Sequence, residues 1–155
     1  MKNKTNDKIN PKKFQDMAKL INHYLKDENI TLTFQGYNDT ISSYFKINDN
    51  DLYEAFNLAV ECNLWNNYFA DIEGIIQVYT FDIELSLDKI KAQYDKNTNN
   101  DILDNEIKLL TKKLKDFKIF LKQVGAQKNF FDKAHFHCNK LYLKGNNTLA
   151  YKKLD

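Results

Sequence analysis

The chain has 155 residues and a formal net charge of +2, with 43% hydrophobic and 28% charged residues but only one Pro and four Gly. That apolar fraction supports a core and excludes a collagen, a low-complexity linker or a wholly disordered chain. The near-neutral balance gives no field that announces nucleic acid or an anionic membrane. The length suits a single domain, 1–155. Two cysteines, Cys62 and Cys138, are too few for a disulfide scaffold and fit a reducing compartment. The early residues lack the apolar stretch of a signal peptide, and no apolar run reaches the ~18 residues of a spanning helix. A soluble cytoplasmic protein is expected, with no membrane partner. All 23 basic residues are Lys, so no guanidinium is available for bidentate recognition of phosphate, carboxylate or guanine.

In chain order, residues 1–9 are polar and read as a flexible tail. Asn10-Pro11 is a helix start, Asn as cap and Pro at the first helical position, where its missing N–H costs nothing. Phe14, Met17, Ala18, Ile21, Tyr24 and Leu25 recur at helical spacing, giving a helix over 11–28 with Asn29 able to cap its end. Period two then takes over. Ile30, Leu32 and Phe34, then Ile41, Phe45 and Ile47, fall on single faces around Gly36, Asn38 and Asp39, which predicts a β-hairpin over 30–47. The segment 144–155 reads as a tail or edge strand after the turn-like Gly145-Asn146-Asn147.

Asp51 and Glu54 make a capping-box start for a helix over about 51–95, and Asn100 or Asp101 caps a second over about 101–143, after a polar loop at 97–101. Leu103, Ile107, Leu110, Leu114, Phe117, Leu121 and Val124 step by four and three, as in a coiled-coil seam. If the two helices fold back on each other, facing residue numbers sum to about 197, as for Ile83 with Leu114, Cys62 with His135 and Ala59 with Cys138. Trp65 with Phe131 misses by one. Charge supports the pairing. Residues 50–95 hold nine acids and two Lys, and 103–142 hold nine Lys and four acids. The expected fold is α+β and mainly helical, a long antiparallel helical hairpin with an N-terminal helix and a small β-hairpin. The seam closes within one chain or between two, giving a monomer or a homodimer.

Few residues advertise chemistry. Cys62, His135 and Cys138 share the seam and are the best metal candidates, but a fourth ligand is missing, and packed thiols beside a hydrogen-bonded His are the preferred reading. There is no Walker loop, GxGxxG or HExxH, so neither catalytic residues nor a cofactor are expected. Lys108, Lys112, Lys115, Lys118 and Lys122 form a stripe down the last helix, which suits either a solvated flank or phosphate contacts. Gly74 and Gly125 lie at one level inside the two long helices, beside Tyr68, Phe69 and Phe130, and suit a kink, a close helix crossing or a recess for a partner. By elimination the expected function is a non-enzymatic protein-interaction module, of the kind carried by a phage or mobile element to bind and inhibit a larger host protein or nucleoprotein. The alternative is nucleic-acid binding through the lysine stripe.

Overall fold

Asn10-Pro11 opens the first element of the computed structural model, which describes residues 9–96 and 100–154, with side chains for all but 95 and 147–154. The expected tail at 1–8 and the turn at 97–99 lie outside the described residues. Helix α1 spans Pro11–Leu25 and buries Phe14, Ala18, Ile21 and Leu25, one stripe at steps of four and three. A 3₁₀ turn, Lys26–Glu28, follows, and Asn29 ends it in the left-handed conformation, its N–H bonded to the Lys26 carbonyl.

The β-hairpin expected over 30–47 does not form, and the described residues contain no strand. Alternation itself survives: Leu32 is buried and Phe34 half-buried, while Thr31, Thr33 and Gln35 are exposed. Pairing is what fails, because side chains satisfy the backbone instead. Asn22 Nδ2 donates to the Leu32 carbonyl at 2.9 Å and Asn22 Oδ1 accepts from the Leu32 N–H at 2.7 Å. The Tyr68 hydroxyl donates to the Thr33 carbonyl at 2.7 Å. The intended second strand is helix α2, Tyr37–Phe45, which buries Tyr37, Thr40, Ile41 and Tyr44 on one helical face. Gly36 precedes it at φ 85°, a conformation only glycine adopts cheaply.

Helix α3 spans Leu52–Lys96 and helix α4 spans Asp101–Leu154, and the two long helices pack together. Their caps are those read from sequence. Asp51 Oδ1 accepts from the Glu54 N–H at 3.0 Å, and Asn100 Oδ1 accepts from the N–H groups of Ile102 and Leu103 at 3.0 and 3.2 Å. The segment 144–154, expected as a tail or edge strand, continues α4. Gly145 is a packing residue rather than a turn, since a Cβ there would collide with the Leu52 side chain. No helix among the described residues is long and apolar enough to cross a membrane.

The chain divides into two units. An aromatic unit comprises the chain start to Pro11, Thr33–Ala70 and Gly125–Asp155, with α2 on the facing ends of α3 and α4. Its buried set includes Tyr37, Tyr44, Leu58, Phe69, Phe130, Phe131 and Ala134. Trp65 faces Phe131 across the helices, ring centroids 6.0 Å apart, and Phe56 faces Tyr142 at 5.2 Å, in keeping with the antiparallel register. A mixed unit comprises Lys12–Leu32 and Asp71–Val124. There α1 stacks Phe14 on Phe120 at 5.5 Å, and Ile72, Ile76, Ile83, Leu87 and Val124 are buried in the same unit.

Candidate functional site

The aromatic unit carries a surface cavity of about 630 Å³ that period-two reading could not anticipate, since α2 forms one wall. Thr33, Gln35 and Gly36 line it from the loop, Asp39, Thr40 and Ser43 from α2, and Glu61, Leu64, Trp65 and Tyr68 from α3. The α3 residues sit at steps of three, one and three, a single helical face turned towards α2. Two aromatic rings are pinned there. Trp65 Nε1 donates to Thr40 Oγ1 at 3.2 Å, and that hydroxyl donates to the Gly36 carbonyl at 3.0 Å. Tyr68 is held at its tip by Thr33, whose N–H also approaches the hydroxyl at 3.3 Å. The rings of Trp65 and Tyr68 stand 5.6 Å apart at 75°.

Behind the cavity the core is a block of rings. Phe69 stacks on Phe34 and Phe131 at 5.9 and 5.8 Å, and Tyr37 meets Trp65, Phe69 and Phe131 edge-on. The Tyr37 hydroxyl donates to Gln127 Oε1, so a buried phenol and a buried amide satisfy each other. Burial pushes the Tyr37 pKa well above the ordinary tyrosine range.

The sequence-derived recess therefore separates into parts. Phe69 and Phe130 are core residues, 0% and 2% exposed; Tyr68 is half-buried at the cavity, and Gly125 is half-buried in the aromatic unit. Gly74 belongs to the mixed unit and is exposed, with open space where a Cβ would stand. Val78, Phe81 and Leu85 lie exposed on α3, as do Leu109 and Ile119 on α4.

Cys62 and Cys138 are both fully buried free thiols. Cys62 hydrogen-bonds to Cys138, and that bond together with burial drives its pKa far up, so it is an unreactive thiol. His135 Nδ1 donates to the Ala59 carbonyl at 2.8 Å. Among the described residues no group of three or more His, Cys, Asp or Glu is placed to hold a metal.

All five lysines of the stripe are exposed and lie in the mixed unit. Lys108 pairs with Asp104 at 3.1 Å, one turn away, and Lys118 with Glu84 of α3 at 3.2 Å.

A second surface feature is apolar. On α3 the aromatic unit exposes Tyr53, Phe56, Val60 and Leu64, with Leu64 at 62%, and the mixed unit exposes Ile75, Val78, Phe81 and Leu85, with Val78 at 60%. Within each unit these recur at steps of three and four, so each set is a stripe rather than a scatter. No family model matches the chain, and no curated protein or solved structure matches it either.

Proposed function

We propose that this chain is a non-enzymatic protein-interaction module that acts by occupying the surface of a larger protein. The observations that support the reading are two apolar stripes on α3, Tyr53, Phe56, Val60 and Leu64 in one unit and, separately, Ile75, Val78, Phe81 and Leu85 in the other. Scattered exposed apolar residues need no explanation, but side chains of this size aligned on one helix face are costly to leave in water without a partner. Both thiols are fully buried, so neither presents an accessible nucleophile. The all-Lys, Asn-rich composition suits a protein carried by a phage or mobile element, with a host protein or nucleoprotein as its target. Affinity capture from the native host followed by mass spectrometry, with and without nuclease, tests the proposal. The expected result is a stoichiometric protein partner that survives nuclease treatment.

The second reading is nucleic-acid binding through the lysine stripe, favoured by the exposure of Lys112, Lys115 and Lys122 on one flank of α4. It requires an affinity that falls steeply with salt and weakens when these three become Gln. No binding to single- or double-stranded DNA or RNA at low salt would remove it.

A further inference from the structure

We infer that the cavity bounded by Trp65, Tyr68, Asp39 and Glu61 receives the cationic side chain, lysine or arginine, of a protein partner. The inference rests on the interaction reading above and names what one part of that surface recognises. Its volume of about 630 Å³ lies within the usual range of ligand pockets.

Both charged residues in the lining are carboxylates, Asp39 and Glu61, and no Lys or His stands among the lining residues. Neither carboxylate forms an ion pair among the described residues, and both are exposed to the cavity mouth. A bare pair of acids would attract any cation. Here they flank two aromatic rings, and the faces of Trp and Tyr attract organic cations through the ring quadrupole. The polar tips of both rings are already engaged, Trp65 Nε1 on Thr40 and the Tyr68 hydroxyl on Thr33. One face of Trp65 stacks on Phe131, so what the two rings offer a ligand is the ring surface that lines the cavity. The two rings form a corner of 75° whose members are fixed by hydrogen bonds, so little ordering remains for binding to impose.

Leu64 decides between a free amine and a side chain. It lines the cavity and also belongs to the exposed stripe with Val60, Phe56 and Tyr53. A lysine or arginine reaching the carboxylates from a partner surface would lay its methylenes along Leu64 while flanking apolar residues cover the stripe. A small free cation would leave that stripe in water.

Trp65 is the one tryptophan in the chain, so its fluorescence reports this site directly. The test titrates the full-length protein with the peptides Ac-Leu-Lys-Leu-NH₂ and Ac-Leu-Arg-Leu-NH₂, with the norleucine analogue of the first, and with n-butylammonium. The expected result is a saturable change in Trp65 emission with a cationic peptide. Affinity should be about tenfold weaker for the norleucine peptide and for n-butylammonium, and about tenfold weaker in Glu61→Gln or Asp39→Asn. Both substitutions are at exposed positions, and an unchanged melting curve confirms their fold. A norleucine peptide that binds as well as the lysine peptide, indifference to both substitutions, or no saturable response overturns the assignment. Equal affinity for n-butylammonium and the lysine peptide overturns the partner side chain in favour of a free amine. Failure here with partner capture intact rejects only the cavity, whereas loss of any protein partner in capture rejects the interaction reading itself.

Discussion

In the unit built from Thr33–Ala70 and Gly125–Asp155 the interior is a block of aromatic rings with polar handles, whereas in the unit of Lys12–Leu32 and Asp71–Val124 it is largely aliphatic. The first ties its rings by hydrogen bonds, Tyr37 to Gln127, Trp65 to Thr40 and Tyr44 to His137 at 3.1 Å. The second packs Ile21, Leu25, Ile72, Ile76 and Val124 with Phe14, Phe117 and Phe120, and its polar links include Thr80 to the Ile76 carbonyl at 2.8 Å, Tyr24 to Asp116 at 2.7 Å and Lys118 to Glu84. Rings that carry a polar atom must bring that atom to a partner. Aliphatic packing has no such requirement. The cavity beside Trp65 is bounded by two rings tied in this way, Trp65 on Thr40 and Tyr68 on Thr33.

Breaking the ring block should have the largest effect. Phe131→Ala removes a fully buried ring that stacks on Trp65 and Phe69, and urea denaturation should show a loss of about 3–5 kcal/mol. Tyr37→Phe is subtler, leaving Gln127 Oε1 buried without its donor, at a cost of about 1–3 kcal/mol by the same measurement. A loss well below 1 kcal/mol would show that the polar handles do not stabilise the aromatic core.

Both units share a pH response. Burial pushes the Tyr44 pKa up to about 12, aided by the neighbouring Cys138 and Cys62, and burial followed by the bond to Asp116 raises Tyr24 to about 12. Folding therefore favours the protonated phenols. Their contribution is full below the ordinary value of 10.0 and is lost as pH rises from there through about 12. Melting temperature followed from pH 9 upwards should fall across that window, and Tyr44→Phe should shallow the fall.

At Gly74 the sign reverses. A methyl there meets open space, so Gly74→Ala should stabilise α3 by about 1 kcal/mol through backbone entropy alone. A destabilised variant would show that the glycine serves a close approach. The smallest effect belongs to Lys118→Gln, which removes an exposed ion pair with Glu84 and should change stability by about 0–1 kcal/mol, less at high salt.

The long elements were legible because their signals are redundant. Asn10-Pro11, Asp51 and Asn100 fix three helix starts, and the charge asymmetry and periodicity of α3 and α4 agree on one antiparallel register, to which Trp65 against Phe131 and Phe56 against Tyr142 keep within one residue in the aromatic unit. Residues 37–45 were ambiguous. Ile41, Phe45 and Ile47 satisfy period two while Tyr37, Ile41 and Tyr44 satisfy the helical period, and Gly36 serves a hairpin turn as readily as a helix entry. Nothing local decides between them. Decisive interactions come from distant residues, Gln127 on Tyr37 and Trp65 on Thr40. The run Gly145-Asn146-Asn147 misled in the same way, because glycine there answers to Leu52 across the helix pair. Since the cavity needs α2 as a helix, its lining of Asp39, Thr40, Glu61 and Trp65 was hidden with it.

The interaction surface can be tested by replacing the stripe without touching either core. Val60 and Leu64 are exposed on α3, so the double variant Val60→Lys, Leu64→Lys leaves the buried rings in place. Capture from the native host with this variant beside the wild type, each with a matching melting curve, is the most direct measurement. The expected result is loss of the nuclease-resistant protein partner at unchanged melting temperature. A stable double variant that captures the same partner at the same yield would contradict an interaction through this face of α3.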